Sequence, residues 1–163
     1  MRGSDEPRSQ SQPQPDWTLN EGWTLNEGSG SMIRGSCLCG EVRYEISGEL
    51  NSITQCHCSM CRKAHGAAFA SYAEAESRDL RFTAGEQLIS RYRSSEQSQR
   101  SFCSRCGSNL LFEPDDAPDL VYVAAGGFDS ELQLRPSSHI FVGSKAPWFD
   151  ITDDLPQHEA DTD

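Results

Sequence analysis

Three cysteines lie within six residues of one another, in the segment Cys56-His57-Cys58-Ser59-Met60-Cys61. This C-x-C-x-x-C spacing lets a single turn of the chain direct three sulfur atoms at one point. Thiolate sulfur is a soft ligand that favours a thiophilic metal, and Zn²⁺ is the commonest such ion. Three protein ligands leave the fourth tetrahedral position free, as in catalytic zinc sites. The spacing therefore predicts a catalytic zinc on Cys56, Cys58 and Cys61.

The other four cysteines form two pairs, Cys37-Leu38-Cys39 and Cys103-Ser104-Arg105-Cys106. Two ligands from each pair complete a closed Cys₄ site, and the glycine after each pair permits the tight turn that such a site needs. Seven thiols then divide into four and three with none left over. We predict a structural zinc on these four residues, hence two Zn²⁺ per chain, with two unrelated reduced pairs as the alternative.

An alternative for the central triad is a second structural site whose fourth ligand is a histidine. The candidates are His57, His65, His139 and His158. His57 alternates with the ligands along the chain, so its side chain is expected to point away from the metal.

The rim of the predicted triad site carries a basic pair, Arg62 and Lys63. An arginine can hold a carboxylate with two parallel hydrogen bonds, which makes Arg62 a candidate substrate contact. A solvated basic pair is the alternative. Trp148 and Phe149 are candidates for stacking on a substrate, with packing in the core as the alternative.

Length and charge limit the possible partners. The chain has 163 residues, which suits one domain, and a formal net charge of −11. This charge disfavours binding to nucleic acid or to anionic membranes, because both require a basic surface. An odd number of clustered cysteines fits reduced thiols on metal, and we find neither a membrane span nor a signal peptide. The expected location is the cytoplasm, and the oligomeric state stays open.

The chain divides into three parts by composition. Residues 1–31 contain the repeated segment WTLNEG among Ser, Gln, Gly and Pro, and we interpret them as a leader and linker derived from an expression tag, with a misassigned upstream start as the alternative. Residues 32–156 are predicted to form the zinc domain. Residues 157–163 are an acidic tail, and the chain is expected to be loose from Asp153 onward.

The elements that must position the cysteines are short strands. Val42, Tyr44 and Ile46 alternate with charged residues, as in a strand with one buried face. Ser59 is expected to cap one short helix over residues 60–65, which Gly66 ends. Many short strands separated by glycine turns predict an all-β fold. The predicted strands after the first are residues 53–56, 67–73, 80–83, 87–93, 99–102, 109–113, 120–125 and 140–142.

Taken together, these motifs resemble the glutathione-dependent formaldehyde-activating family, which includes the centromere protein V type. The resemblance runs from about Gly35 to Pro156. It rests on Gly35 to Gly40 with Val42, Cys56-His57-Cys58 with Cys61-Arg62, Phe102-Cys103 with Cys106-Gly107, Ala125 to Asp129, Pro136, His139-Ile140, Trp148 and Asp154-Leu155-Pro156.

The resemblance implies a β-tent of the Mss4-like type, a structural zinc on the outer cysteine pairs and a second zinc on the triad. It also implies a carbon–sulfur lyase that is similar to S-(hydroxymethyl)glutathione synthase, with glutathione and formaldehyde as substrates. We expect a thiol at the open zinc position to attack the aldehyde carbon, with a zinc ion that polarises the carbonyl or activates water as the alternative. A non-catalytic zinc module that binds a small thiol or a protein partner is the alternative function.

Overall fold

The computed structural model describes residues 32–161, so the predicted leader and the last two residues of the predicted tail lie outside the described part of the chain. The described residues form ten strands in two sheets with one short α-helix, and the predicted all-β class is confirmed. The strands are β1 (Ile33–Ser36), β2 (Arg43–Ile46), β3 (Ser52–Cys56), β4 (Ala70–Glu76), β5 (Leu80–Ala84), β6 (Ile89–Ser95), β7 (Ser98–Cys103), β8 (Asn109–Pro114), β9 (Leu120–Ala124) and β10 (Ser138–Ile140).

A three-stranded antiparallel sheet has the order β1-β2-β5. Its central strand shows the predicted alternation, because Tyr44 and Ile46 are fully buried while Arg43 is exposed. These side chains pack against Leu110 and Val123 of the larger sheet. Burial of one face of each sheet against the other gives the domain its main core.

The larger sheet has seven strands in the order β10-β3-β4-β9-β8-β7-β6. All its pairs are antiparallel except β10 with β3, which is parallel. Cys56, the last residue of β3, is opposite Ala70 of β4 on one side and Ile140 of β10 on the other. The start of the cysteine triad is therefore fixed by strands on both sides.

The single helix, α1 (Ser59–His65), follows β3 directly. Ser59 was expected to cap it, but the cap is Cys58, whose Sγ accepts a hydrogen bond from the Cys61 backbone N–H. Cys58 has extended backbone angles, as a helix-capping residue requires, and its sulfur replaces the usual oxygen acceptor. Gly66 ends the helix as predicted, in the left-handed conformation with φ 59°.

Three predicted strands are shifted along the chain. The strand expected over residues 87–93 is Ile89–Ser95, because Glu86–Leu88 forms a 3₁₀ helix. Residues 67–69 follow the helix-ending Gly66 and lie outside any strand, so the strand expected over residues 67–73 is Ala70–Glu76. The strand predicted over residues 140–142 is instead Ser138–Ile140, because Phe141 has a left-handed backbone with φ 56° and cannot continue it.

The expectation of a loose chain after Asp153 is wrong for the described residues. The His158 N–H donates to the His139 carbonyl at 2.9 Å, and the Phe141 N–H donates to the Ala160 carbonyl at 3.1 Å. The terminal segment thus supplies partners to the free edge of β10, which composition alone does not reveal. Among residues 32–161, no helix has the length and apolar character that crossing a membrane requires.

Candidate metal centres

The seven cysteines gather into the two predicted clusters, and none forms a disulfide. Within each cluster all Sγ atoms lie within 4.8 Å of one another. The Cys37–Cys39 and Cys39–Cys103 sulfur distances are 3.4 and 3.9 Å. Tetrahedral zinc with bonds of about 2.3 Å places its sulfur ligands about 3.8 Å apart. The donor set and its spacing therefore fit zinc.

The four-cysteine cluster joins the two sheets. Cys37 follows β1 of the smaller sheet, whereas Cys103 is the last residue of β7 in the larger one. The Val42 N–H donates to the Cys37 sulfur at 3.3 Å, as expected for a thiolate. Gly40 and Gly107 have φ of 73° and 77°, and each closes its turn with a backbone hydrogen bond of 2.8 Å. Glycine is favoured at both positions because their φ is positive.

The three-cysteine cluster lies where β3 meets α1. Cys56 and Cys61 are buried, Cys58 is half-buried, and the neighbouring Met60 is 46% exposed. Hydrogen bonds from the Cys56 and Cys61 thiols lower the pKa of Cys58, and backbone N–H groups of α1 lower it further. The helix start thus favours a thiolate at Cys58 even before a metal binds.

None of the four histidines lies within the triad cluster, and no fourth ligand atom from a described Cys, His, Asp or Glu joins it. His65 instead contacts the Tyr72 hydroxyl at 2.9 Å, and His57 contacts His139. His57 therefore points away from the sulfur cluster, as its place between Cys56 and Cys58 suggested.

A row of hydrogen-bonded polar side chains, buried at His57 and His139 and exposed at Asp153, was not predicted from the sequence. His57 Nε2 lies 2.8 Å from His139 Nδ1, and His139 Nε2 lies 3.1 Å from the Asp153 carboxylate. Burial lowers the pKa of His57, as do repulsions from His139, Lys145 and Arg62. The Nε2–H of a neutral His57 can donate to His139 Nδ1, and the Nε2–H of His139 can donate to the Asp153 carboxylate. These hydrogen bonds connect the segment that carries the cysteine triad to the C-terminal part of the protein.

A second unpredicted group surrounds Cys61. Arg100 on β7 is only 6% exposed, and it contacts both the Cys61 sulfur and the Tyr72 hydroxyl. Alternation along β7 points residue 100 to the same side as the buried Ser98, a signal that sequence analysis could have used. Its partners lie 28 and 39 residues away, and no sequence pattern indicates them.

The predicted rim residues have distinct environments. Arg62 donates from Nε to the His57 carbonyl at 3.2 Å and from Nη2 to the Ser144 carbonyl at 3.1 Å. Arg62 therefore connects the segment of the cysteine triad to the loop at Ser144. A contact between Arg62 and a substrate stays a prediction. Lys63 is exposed. Trp148 is 70% exposed, whereas Phe149 is half-buried and packs on Phe69 with ring centroids 5.5 Å apart.

Comparison with known proteins decides the family. The family model described as glutathione-dependent formaldehyde-activating enzyme matches residues 32–144. The chain belongs to this family. A Halomonas elongata relative, provisionally named a glutathione-dependent formaldehyde-activating enzyme, is 32% identical over 128 residues, which cover 74% of this chain and 81% of that protein.

Two further matches are more distant. A Schizosaccharomyces pombe protein named as an uncharacterized lyase is 21% identical over 117 residues, covering 72% of this chain and 83% of its own. A Rhodobacter sphaeroides crystal structure superposes with a TM-score of 0.52 at 26% identity, covering 61% of this chain and 91% of that one. The resemblance found in the sequence is thus confirmed, and the relatives' names point to lyase or formaldehyde-activating chemistry.

Proposed function

We propose that this family member is a zinc-dependent carbon–sulfur lyase that forms and cleaves the adduct between glutathione, or another thiol, and an aldehyde such as formaldehyde. In the forward direction the thiol sulfur bonds to the carbonyl carbon, and the thiol proton passes to the carbonyl oxygen. The product with formaldehyde is S-(hydroxymethyl)glutathione, and the reverse reaction breaks the same carbon–sulfur bond.

One observation carries this proposal: the two cysteine clusters differ in the number of ligands. The outer cluster has four sulfur atoms and satisfies tetrahedral zinc, whereas the triad has three and no fourth described ligand. A position left for a small molecule distinguishes catalytic from structural zinc sites. Both clusters reach the surface, the triad at Met60 and the four-cysteine cluster at Cys39, so the number of ligands and not exposure distinguishes them.

Cys56, Cys58 and Cys61 would hold the ion of this centre. When bound there, zinc would supply the Lewis acidity that lowers the pKa of a thiol ligand and keeps it as a thiolate at neutral pH. The protein residues fix the geometry: β10 and β4 hold Cys56, and the start of α1 holds Cys58 and Cys61. Arg62 would orient an anionic group of the thiol compound from the edge of this site.

Exchange NMR with ¹³C-formaldehyde and glutathione tests the proposed reaction on the zinc-loaded protein. We expect the protein to accelerate both formation and breakdown of the adduct over the uncatalysed rate. Cys58→Ser should abolish the acceleration, because it removes a ligand of the open centre. Ser59→Ala serves as the control, since it changes an exposed neighbouring hydroxyl and keeps all three sulfurs.

The alternative of a non-catalytic zinc module makes a different prediction for the same samples. A module that binds a small thiol or a protein partner gives no acceleration with glutathione or with any other thiol–aldehyde pair. That result would refute the lyase proposal. Acceleration that survives in Cys58→Ser would refute the role of the triad.

A further inference from the structure

Arg100 is a buried cation without a carboxylate partner in the described part of the chain. Its residue is 6% exposed, and no Asp or Glu oxygen of residues 32–161 lies within 4.0 Å of its guanidinium. A buried charge is costly unless it is paired and hydrogen-bonded. The negative charge that compensates Arg100 must therefore lie among the groups that its guanidinium contacts.

The guanidinium contacts three groups, and one of them can carry negative charge. Nη2 donates to the Cys61 sulfur at 3.4 Å. Nη1 donates to the Tyr72 hydroxyl at 2.7 Å, and the Phe112 ring lies 4.9 Å from the guanidinium carbon. Burial raises the pKa of Tyr72, so this hydroxyl stays neutral at physiological pH. Cys61, which is a thiolate when the triad holds a metal ion, is therefore the one group among these contacts that can be the anionic partner.

The surroundings hold Arg100 in this orientation. The Tyr72 hydroxyl accepts from Arg100 and can itself donate to His65 Nε2, 2.9 Å away. Burial lowers the pKa of His65, and Arg100 lowers it further, so a neutral acceptor is favoured. Phe112 adds a cation–π contact on the face of the guanidinium. The fork of donors is thus preorganised toward Cys61.

We propose that Arg100 is the positioning residue of the three-cysteine centre: its guanidinium holds the Cys61 thiolate and balances the excess negative charge of a tris-thiolate zinc. This inference rests on the proposed metal at the triad. Three thiolates on Zn²⁺ leave a net charge of −1, and one guanidinium compensates it. Among residues 32–161 no other arginine or lysine is buried, so the four-cysteine cluster has no such partner. Arg105, which lies between its ligands Cys103 and Cys106, is exposed and paired with Glu41.

Metal affinity measured site by site tests this role without relying on turnover. The wild-type protein should bind two zinc equivalents in a chelator competition, and the four-cysteine site serves as an internal reference. Arg100→Leu should weaken only the triad site, by about 10- to 100-fold, which is typical for loss of a residue that supports a metal ligand. Arg91→Leu is the matched control, since Arg91 is exposed on the neighbouring strand β6.

A Co²⁺-substituted sample supplies a spectroscopic readout that general destabilisation would not move. Loss of the hydrogen bond to Cys61 should shift the thiolate-to-cobalt charge-transfer band of the triad to lower energy. Circular dichroism checks the fold of each variant. If Arg100→Leu does not fold, Arg100→Lys takes its place, because lysine keeps the positive charge but lacks the two-pronged set of guanidinium donors. We then expect a smaller loss of zinc affinity at the triad and a shift of the cobalt band to lower energy.

The outcomes separate the two proposals. A wild-type protein that binds only one equivalent refutes the metal centre of the proposed function. A wild-type protein that binds two equivalents, with unchanged triad affinity and band position in a folded Arg100 variant, refutes the role of Arg100 alone. Equal weakening of both sites would likewise show that Arg100 only stabilises the fold.

Discussion

At the scale of single residues, the four-cysteine cluster depends on close backbone packing just before its first ligand. Gly35 lies in β1 two residues before Cys37, opposite Tyr44 of β2. A Cβ atom at position 35 would lie 2.3 Å from the Tyr44 hydroxyl and 2.6 Å from the Gly127 carbonyl. Tyr44 is 1% exposed and is held between Phe82 and Phe128, so it cannot move aside.

We therefore expect Gly35→Ala to lower the free energy of unfolding by about 1–3 kcal/mol, the usual cost of overpacking a core. The strand that carries Cys37 must shift to relieve the contact. Gly126→Ala is the control, because a Cβ there meets no atom within 4 Å. Urea denaturation followed by circular dichroism measures both variants. Equal stabilities of the two variants would contradict this account of Gly35.

The same scale shows why the sequence revealed the cysteines but not their neighbours. The C-x-C-x-x-C and C-x-x-C spacings bring ligands together locally, so the types and positions of the residues suffice. The contact of His57 with His139 spans 82 residues, and that of Arg100 with Cys61 spans 39. Such contacts depend on strand order, which alternation within one strand does not specify.

At the scale of elements, β10 is the support of the triad, and it is itself supported by the terminal segment. β10 pairs with β3 directly beside Cys56. Its other edge both donates and accepts hydrogen bonds with the terminal segment: the His139 N–H donates to the Pro156 carbonyl at 2.8 Å, and the His158 N–H donates to the His139 carbonyl. The sequence predicted β2 because one face of that strand is buried, which gives alternating apolar and polar residues. The terminal segment is polar and is held by backbone hydrogen bonds, so its side chains give no such pattern.

This support can be tested at His158. Replacement by proline removes the backbone N–H that donates to the His139 carbonyl, and we expect a loss of about 1–3 kcal/mol in unfolding free energy. His158→Ala removes the side chain and keeps the N–H, so it should cost clearly less. Denaturant melts of both variants decide the matter. If the two variants melt alike, the terminal segment does not hold β10 through its backbone.

At the scale of the whole molecule, the two centres differ in what they connect. The four-cysteine cluster joins the two sheets, and its ligands Cys39 and Cys103 are separated by 64 residues. Metal binding there closes a long loop, so its binding energy is folding energy. The triad lies within one short segment that strands β4 and β10 already hold. Removing its metal leaves the long-range connection intact.

We therefore expect a mild chelator to remove zinc in two stages. The triad zinc should leave first, because its open position admits the chelator, with activity lost and the β-sheet signal retained. The four-cysteine zinc should leave only as the protein unfolds. Native mass spectrometry counts the metal while circular dichroism follows the fold.

Matched substitutions should reproduce this difference between the centres, since both remove one thiolate. Cys103→Ser opens the connection between the sheets and leaves a buried position without its metal, so it should lower the melting temperature far more than Cys58→Ser. Cys58→Ser should instead remove one zinc equivalent and the activity from a folded protein. Loss of both metals together with the fold, or equal damage from the two substitutions, would show that the triad is structural, and a catalytic role would then lose its main support.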